Sequence, residues 1–211
     1  MLPVIVVNAK TYPESTASDA QRLGTACAAI AHEATVLLAL QPFDLYVQIP
    51  KVKMLAQHLD ACEPGRNTGF LVPANAKRHG VVGTLLNHSE HKLPFDVLTK
   101  TVAACRKEGL LVILCADTPE EAARVATLAP DYVAVEPPEL IGGNVSVSTA
   151  RPDVITAALA AVGNVPLLVG AGIKNGADVK KSLELGAIGV LVASGVVLAK
   201  DPRKVLEGFV A

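Results

Sequence analysis

The chain has 211 residues, a formal net charge of -1, 51% hydrophobic and 3% aromatic residues, and no tryptophan. One domain of this length can bury a large core, while near-neutral charge without a Lys/Arg stripe and scarce aromatics argue against a nucleic-acid partner. The short apolar start, Met-Leu-Pro-Val-Ile-Val-Val-Asn, has no basic flank of a signal peptide or length for a membrane span, and Cys27, Cys62, Cys105 and Cys115 lack C-x-x-C spacing, so they read as reduced thiols of a cytoplasmic protein.

Short apolar runs recur along the chain, at residues 4–7, 36–40, 54–57, 82–86, 111–115, 132–135, 167–169 and 189–192. They are continuous, not alternating, which predicts strands buried on both faces. Ala- and Leu-rich helical stretches separate them, although the one between the second and third strands reads as very short. Asp117-Thr118-Pro119-Glu120-Glu121 predicts a helix start, with Thr118 as N-cap, Pro119 in the first turn and Glu121 at the capping-box position. Asp201-Pro202 repeats the cap-plus-proline pattern, and Gly109 and Gly186 stand where helices stop before strands. Eight such units without a linker predict an α/β chain folded as a (β/α)8 barrel, a single domain over residues 1–211. A doubly wound open sheet is the rival, weakened because no G-x-G-x-x-G follows the first strand. Two long loops stand out in so short a barrel, at residues 60–70 and 136–147.

In a barrel of this kind the site forms at the C-terminal ends of the strands. Lys10, just after Asn8, is a candidate phosphate holder or stabiliser of an anionic transition state, or a solvated lysine. His88, in "LLNHSEH", is a candidate acid/base, electrophile or metal ligand, or a hydrogen-bonded structural histidine. His88 and His91 have the spacing of half a zinc site, with His58 a third candidate, but no second pair completes it, and the reading is no metal. Glu136 is a candidate general base if an apolar lid desolvates it, or a cap or ion-pair partner; Glu139, within the loop, reads as solvated or structural. Gly170-Ala171-Gly172 and Ala193-Ser194-Gly195 follow the last two strands, where barrels often hold phosphate on backbone N–H groups. The set suggests proton transfer on a small phosphorylated substrate, with no nucleophile and no organic cofactor.

The stretches "VIVVNAKTY", "EPGRNTG", "GTLLNHSE", "DYVAVEPPELIGG", "GAGI", "DVKKSLELGAIGVLVASGV" and "AKDP" run in order over nearly the whole chain. In them the chain resembles the triosephosphate isomerase family, in its short archaeal form, whose fold is the TIM barrel. The resemblance implies interconversion of dihydroxyacetone phosphate and D-glyceraldehyde 3-phosphate through an enediolate, in glycolysis and gluconeogenesis. It implies Glu136 as the base, His88 as a neutral electrophile and Lys10 as the charge stabiliser, with Asn8 beside it and Glu90 holding it. Ile141 and Gly142 of the lid, Gly172, Ala193 and Ser194 would grip the phosphate. Thr68 matches a residue that relatives insert beside the partner subunit's active site, which implies a homo-oligomer, tetramer favoured over dimer.

Departures from the family pattern carry expectations of their own. Ala9 stands where an aromatic residue is usual, which predicts a looser Lys10 loop. The lid tip reads Gly142-Gly143-Asn144 where Gly-Thr-Gly is usual, losing a hydroxyl and shifting the flexible position by one. Arg66-Asn67 replaces a frequent Ser-His on the third loop. A metal-dependent aldolase or epimerase and an inactive barrel scaffold stand as the alternatives.

Overall fold

A computed structural model describes residues 2–143 and 146–211. Eight parallel strands close into a barrel in sequence order: β1 (Val4–Asn8), β2 (Thr35–Leu40), β3 (Lys53–Ala56), β4 (Gly83–Leu86), β5 (Leu111–Ala116), β6 (Tyr132–Val135), β7 (Leu167–Gly170) and β8 (Gly189–Val192). The last strand returns to the first through Val4 opposite Gly189, so no edge is left open. The helices are α1 (Ser18–Ala28), α2 (Pro73–Arg78), α3 (Phe95–Lys107), α4 (Pro119–Ala126), α5 (Val147–Ala150), α6 (Pro152–Val162), α7 (Gly176–Glu184), α8 (Ser194–Val197) and α9 (Pro202–Val210). Among the described residues no helix is long and apolar enough to cross a membrane.

The core has two layers, and strand parity makes them. Val4, Val6, Leu37, Ala39, Leu55, Leu85, Ile113, Cys115, Ala134, Leu168 and Leu191 fill the barrel. Their neighbours, such as Ile5, Val7, Leu38, Leu114, Val133 and Val190, pack outward against the helices. Apolar demand on both faces explains why the strands read as continuous runs.

The structure moves several predicted boundaries. Asn8, Ala116 and Gly170 lie within strands, while Gln57 and Val82 fall outside them. The second crossover holds no α-helix, only a 3-10 turn at Pro42–Asp44. Pro42 and Pro50 break any longer helical run there, and buried Asp44 pins the turn by accepting from the Ala17 N–H at 2.8 Å. Thr118 caps α4 as expected, accepting from the Glu121 N–H. The reciprocal bond is displaced: Glu121 Oε2 accepts from the Asp117 N–H at 2.7 Å, not from Thr118. Its other oxygen accepts from Asn87 Nδ2 at 2.8 Å, and Lys92 Nζ donates to both oxygens, so the carboxylate is held away from the Thr118 N–H. Asp201 caps α9, and Gly109 and Gly186 take positive φ after α3 and α7.

Candidate active site

The same parity that fills the barrel aims polar residues at its mouth. Ala134 points inward on β6, so Glu136, two residues on, points inward too, and Asn8 follows Val4 and Val6 in the same way on β1. Glu136 is 5% exposed and His88 7% exposed. Glu136 Oε2 lies 3.4 Å from His88 Nε2, and among the described residues neither atom has a hydrogen-bond partner. Buried polar atoms left open in this way are costly, and they cluster where a ligand completes them.

The two groups are pushed away from their ordinary titration in useful directions. Burial raises the Glu136 carboxyl to about 7, against the pull of the Lys10 ammonium. Burial lowers His88, and Lys10 adds to that effect. The Glu90 N–H donates to His88 Nδ1 at 3.1 Å, which leaves Nε2 to carry the proton of a neutral ring. A carboxylate that ionises near neutrality thus faces a neutral N–H donor.

Lys10 sits on a strained turn at φ +49. The Asn8 carboxamide accepts from the Lys10 N–H at 3.0 Å, and Gln57 Nε2 donates to the Lys10 carbonyl at 2.9 Å. Ser15 donates to the Ala9 carbonyl at 2.8 Å, and Ala9 itself is fully buried. Polar ties hold the turn that Ala9 was expected to loosen. Lys10 Nζ meets Glu90 Oε1 at 2.5 Å, with Lys10 mostly buried and Glu90 exposed.

Beyond Glu136, Pro137 opens the lid segment and Pro138–Leu140 form a 3-10 turn. Gly142 takes φ +71, a conformation that glycine adopts without strain. Asn144, the third residue of the lid tip, lies outside the described residues. Ile141, Gly142, Gly172, Ala193 and Ser194 line one pocket with Lys10 and Glu136. Ser194 opens the single-turn α8, so its N–H has no partner inside that helix.

Thr68 is exposed on the third loop and takes no part in this chain's pocket. The rings of His58 and His91 stack face to face, with centroids 4.2 Å apart, and both of the His88 ring nitrogens face Glu90 or Glu136. Among the described residues no three His, Cys, Asp or Glu side chains gather as a metal ion would need. Glu139 is exposed, 3.9 Å from Arg151.

Four neighbours of the site escaped the sequence reading of roles. Gln57 was assigned to strand and not to the mouth. Cys115 read only as a reduced thiol, yet it faces Ala134 across β5 and β6, one layer below Glu136, and it lowers the pKa of the Glu136 carboxyl. Asn87, at φ +61, donates to the Cys115 carbonyl and to Glu121 while accepting from the Leu93 N–H, and so fixes the residue before His88. Gly170 read as part of an anion loop, but a Cβ there would stand 2.5 Å from Glu136 Cγ and Oε1. Gly170→Ala is expected to displace the carboxylate and lower kcat about 100-fold with the fold intact, since misplacement near 1 Å has that effect. Steady-state kinetics beside circular dichroism checks this; unchanged kcat would show that Glu136 has room to spare.

The family model for triosephosphate isomerase matches residues 3–209. A triosephosphate isomerase from Methanothermus fervidus is 42% identical over 216 residues, covering 99% of this chain and 97% of the relative. Another, from Methanosarcina barkeri, is 41% identical over 217 residues, covering 99% and 98%. Among solved structures, a triosephosphate isomerase from Bartonella henselae superposes with a TM-score of 0.75 at 17% identity, covering 99% of both chains. That last likeness bears on the fold alone.

Proposed function

Since the chain belongs to the triosephosphate isomerase family, we propose that it interconverts dihydroxyacetone phosphate and D-glyceraldehyde 3-phosphate by proton transfer through an enediolate. Glu136 takes the proton from one carbon and returns it to the next. His88, neutral, donates from Nε2 to the substrate carbonyl as negative charge builds on its oxygen. Lys10 offsets the charge of both the phosphate and the enediolate. This division between a carboxylate base and a neutral histidine is already the standard illustration of pKa tuning for this family, so it is inherited by the chain and is not new to it. Gly172, Ser194 and the lid residues Ile141 and Gly142 bind the phosphate, with Asn8 and Glu90 holding Lys10 in place.

The observation that carries the reading is the buried Glu136–His88 pair, 3.4 Å apart, with open polar atoms beside Lys10. No redox or metal group enters the scheme, because abstraction and return of one proton conserve every atom and electron. The test is a coupled assay for conversion of either triose phosphate by purified chain in the presence of chelator. Turnover supports the reading, and its loss on chelation would favour a metal-dependent barrel enzyme.

The same reading includes assembly into a homo-oligomer. Phe43, Tyr46 and Phe70 are all more than half exposed, and Tyr46 and Phe70 rim a groove floored by Leu59, Leu71 and Val72. Aromatic surface of this kind is normally covered by a partner. Light scattering at several concentrations is expected to give a mass above that of one chain; a monomer at every concentration would contradict it.

A further inference from the structure

The lid has two ends, and only the first, at Pro137-Pro138, has a role so far. At the second, Ser146 is 3% exposed and its hydroxyl donates to Asp178 Oδ1 at 2.7 Å. The other oxygen of Asp178 accepts from the Lys174 N–H at 3.0 Å, in the loop that follows Gly172. The Val147 N–H donates to the Ala171 carbonyl at 3.2 Å, and Ser148 Oγ donates to the Asp178 carbonyl at 3.3 Å. The end of the lid, the loop after β7 and the first turn of α7 therefore meet at one carboxylate.

We propose that Asp178 is a positioning residue for the reaction: it ties the returning end of the lid, at Ser146, to the loop after β7, so that the two loops hold the phosphate as one unit. An acid in the first turn of a helix ordinarily serves that helix. Asn175 already caps α7 by accepting from the Asp178 N–H at 3.1 Å. One Asp178 oxygen completes the helix start through Lys174, but the oxygen given to Ser146 does nothing for α7. Its partner is a buried hydroxyl on a different element, which makes a strong, directed bond to a charged acceptor. Pro137-Pro138 limits how the lid leaves β6, and Asp178 limits how it returns.

The inference rests on the isomerase reading and adds a consequence to it. An enediolate whose lid opens early loses phosphate. The C–O bond to phosphate breaks, and its electron pair leaves with the phosphate. The enediolate electrons form a new C=C bond beside the carbonyl, and the resulting enol becomes a 2-oxoaldehyde when a proton moves to carbon. Inorganic phosphate released per isomerisation therefore reports lid retention, which a role confined to folding would leave unmoved.

The test compares Ser146→Ala, Asp178→Ala, Asp178→Asn and the double alanine variant with the unaltered protein in its assembled state. It measures kcat, KM, phosphate released per turnover and the thermal unfolding midpoint. Ser146→Ala and Asp178→Ala are each expected to raise phosphate release about tenfold, as loss of a charged hydrogen bond at a hinge implies. The double variant is expected to match the stronger single one, because both remove the same tie. Asp178→Asn, which keeps a single carbonyl oxygen, falls between. Phosphate release unchanged in both single variants, with only the midpoint lowered, would overturn the proposal, as would full multiplication of the two effects. An unaltered protein with no isomerase turnover would instead defeat the function on which the proposal rests.

Discussion

Glu136→Gln is expected to cut kcat roughly 1,000-fold or more, the scale of a lost general base, while making the folded chain more stable above neutral pH. Gln keeps the shape and removes the proton acceptor. The stability gain follows from the raised pKa. The Glu136 carboxyl titrates at about 7 in the folded chain, above the ordinary 4.5. The folded state thus holds the proton more tightly than the unfolded state, and stability falls as pH rises from about 4.5 to about 7. At pH 8 the burial cost is fully present and amounts to about 3 kcal/mol by the usual conversion of pKa to free energy. Glutamine escapes most of that cost at pH 8 and little of it at pH 4.5. Denaturant unfolding of both proteins at the two pH values tests this. Equal stability at pH 8 would mean that the carboxylate is solvated and not tuned. Glu136→Asp keeps the charge but draws it back from the substrate, so kcat is expected to fall while substrate binding persists.

The second large effect is expected at Lys10. Lys10→Met should lower kcat/KM roughly 100- to 1,000-fold, the range for losing one preorganised charge at a developing anion. The loss has a pH signature as well. Lys10 lowers the pKa of both Glu136 and His88, so its removal raises both. In the unaltered protein kcat/KM is expected to fall as pH drops below about 7, where Glu136 gains its proton. In the variant that limb moves to higher pH. Loss of the Glu90 contact costs little stability, because Glu90 is exposed and keeps its solvation, whereas the further raised Glu136 carboxyl lowers stability above neutral pH. A pH–rate profile whose acid limb stays in place would show that Lys10 does not act on Glu136 electrostatically.

The fold was legible because a parallel barrel needs apolar residues on both faces of every strand. That demand leaves continuous runs that survive reading without neighbours. Boundaries were less legible. Asn8 is polar and reads as the residue after a strand, yet its backbone still pairs with β2 while its side chain turns up into the mouth. The second crossover could be recognised as short, but not that Asp44 would anchor it by accepting from a backbone N–H on the preceding segment.

The candidate site was legible where side chains alone carry the chemistry. Lys10, His88 and Glu136 follow strands and are chemically conspicuous. Residues that act on them across the barrel were not, because the contact depends on geometry between distant segments. Cys115 acts on Glu136 only because β5 and β6 are neighbours in register, Cys115 opposite Ala134. Gly170 matters through what its missing Cβ allows on an adjoining strand. Asp178 looks like an ordinary helix-start acid until its second oxygen is seen on Ser146. Each is a relation between elements, and a single strand or helix does not display it.

The most direct measurement is isomerisation of one triose phosphate in deuterium oxide, followed by nuclear magnetic resonance with the unaltered chain and with Glu136→Gln. Glu136 carries the proton between the two carbons, so the newly formed C–H position of the product is expected to hold hydrogen where the buried carboxyl returns the same proton and deuterium where it first exchanges with solvent, with near-total loss of conversion in the variant. Conversion as fast with Glu136→Gln as with the unaltered chain would contradict Glu136 as the base that carries the proton.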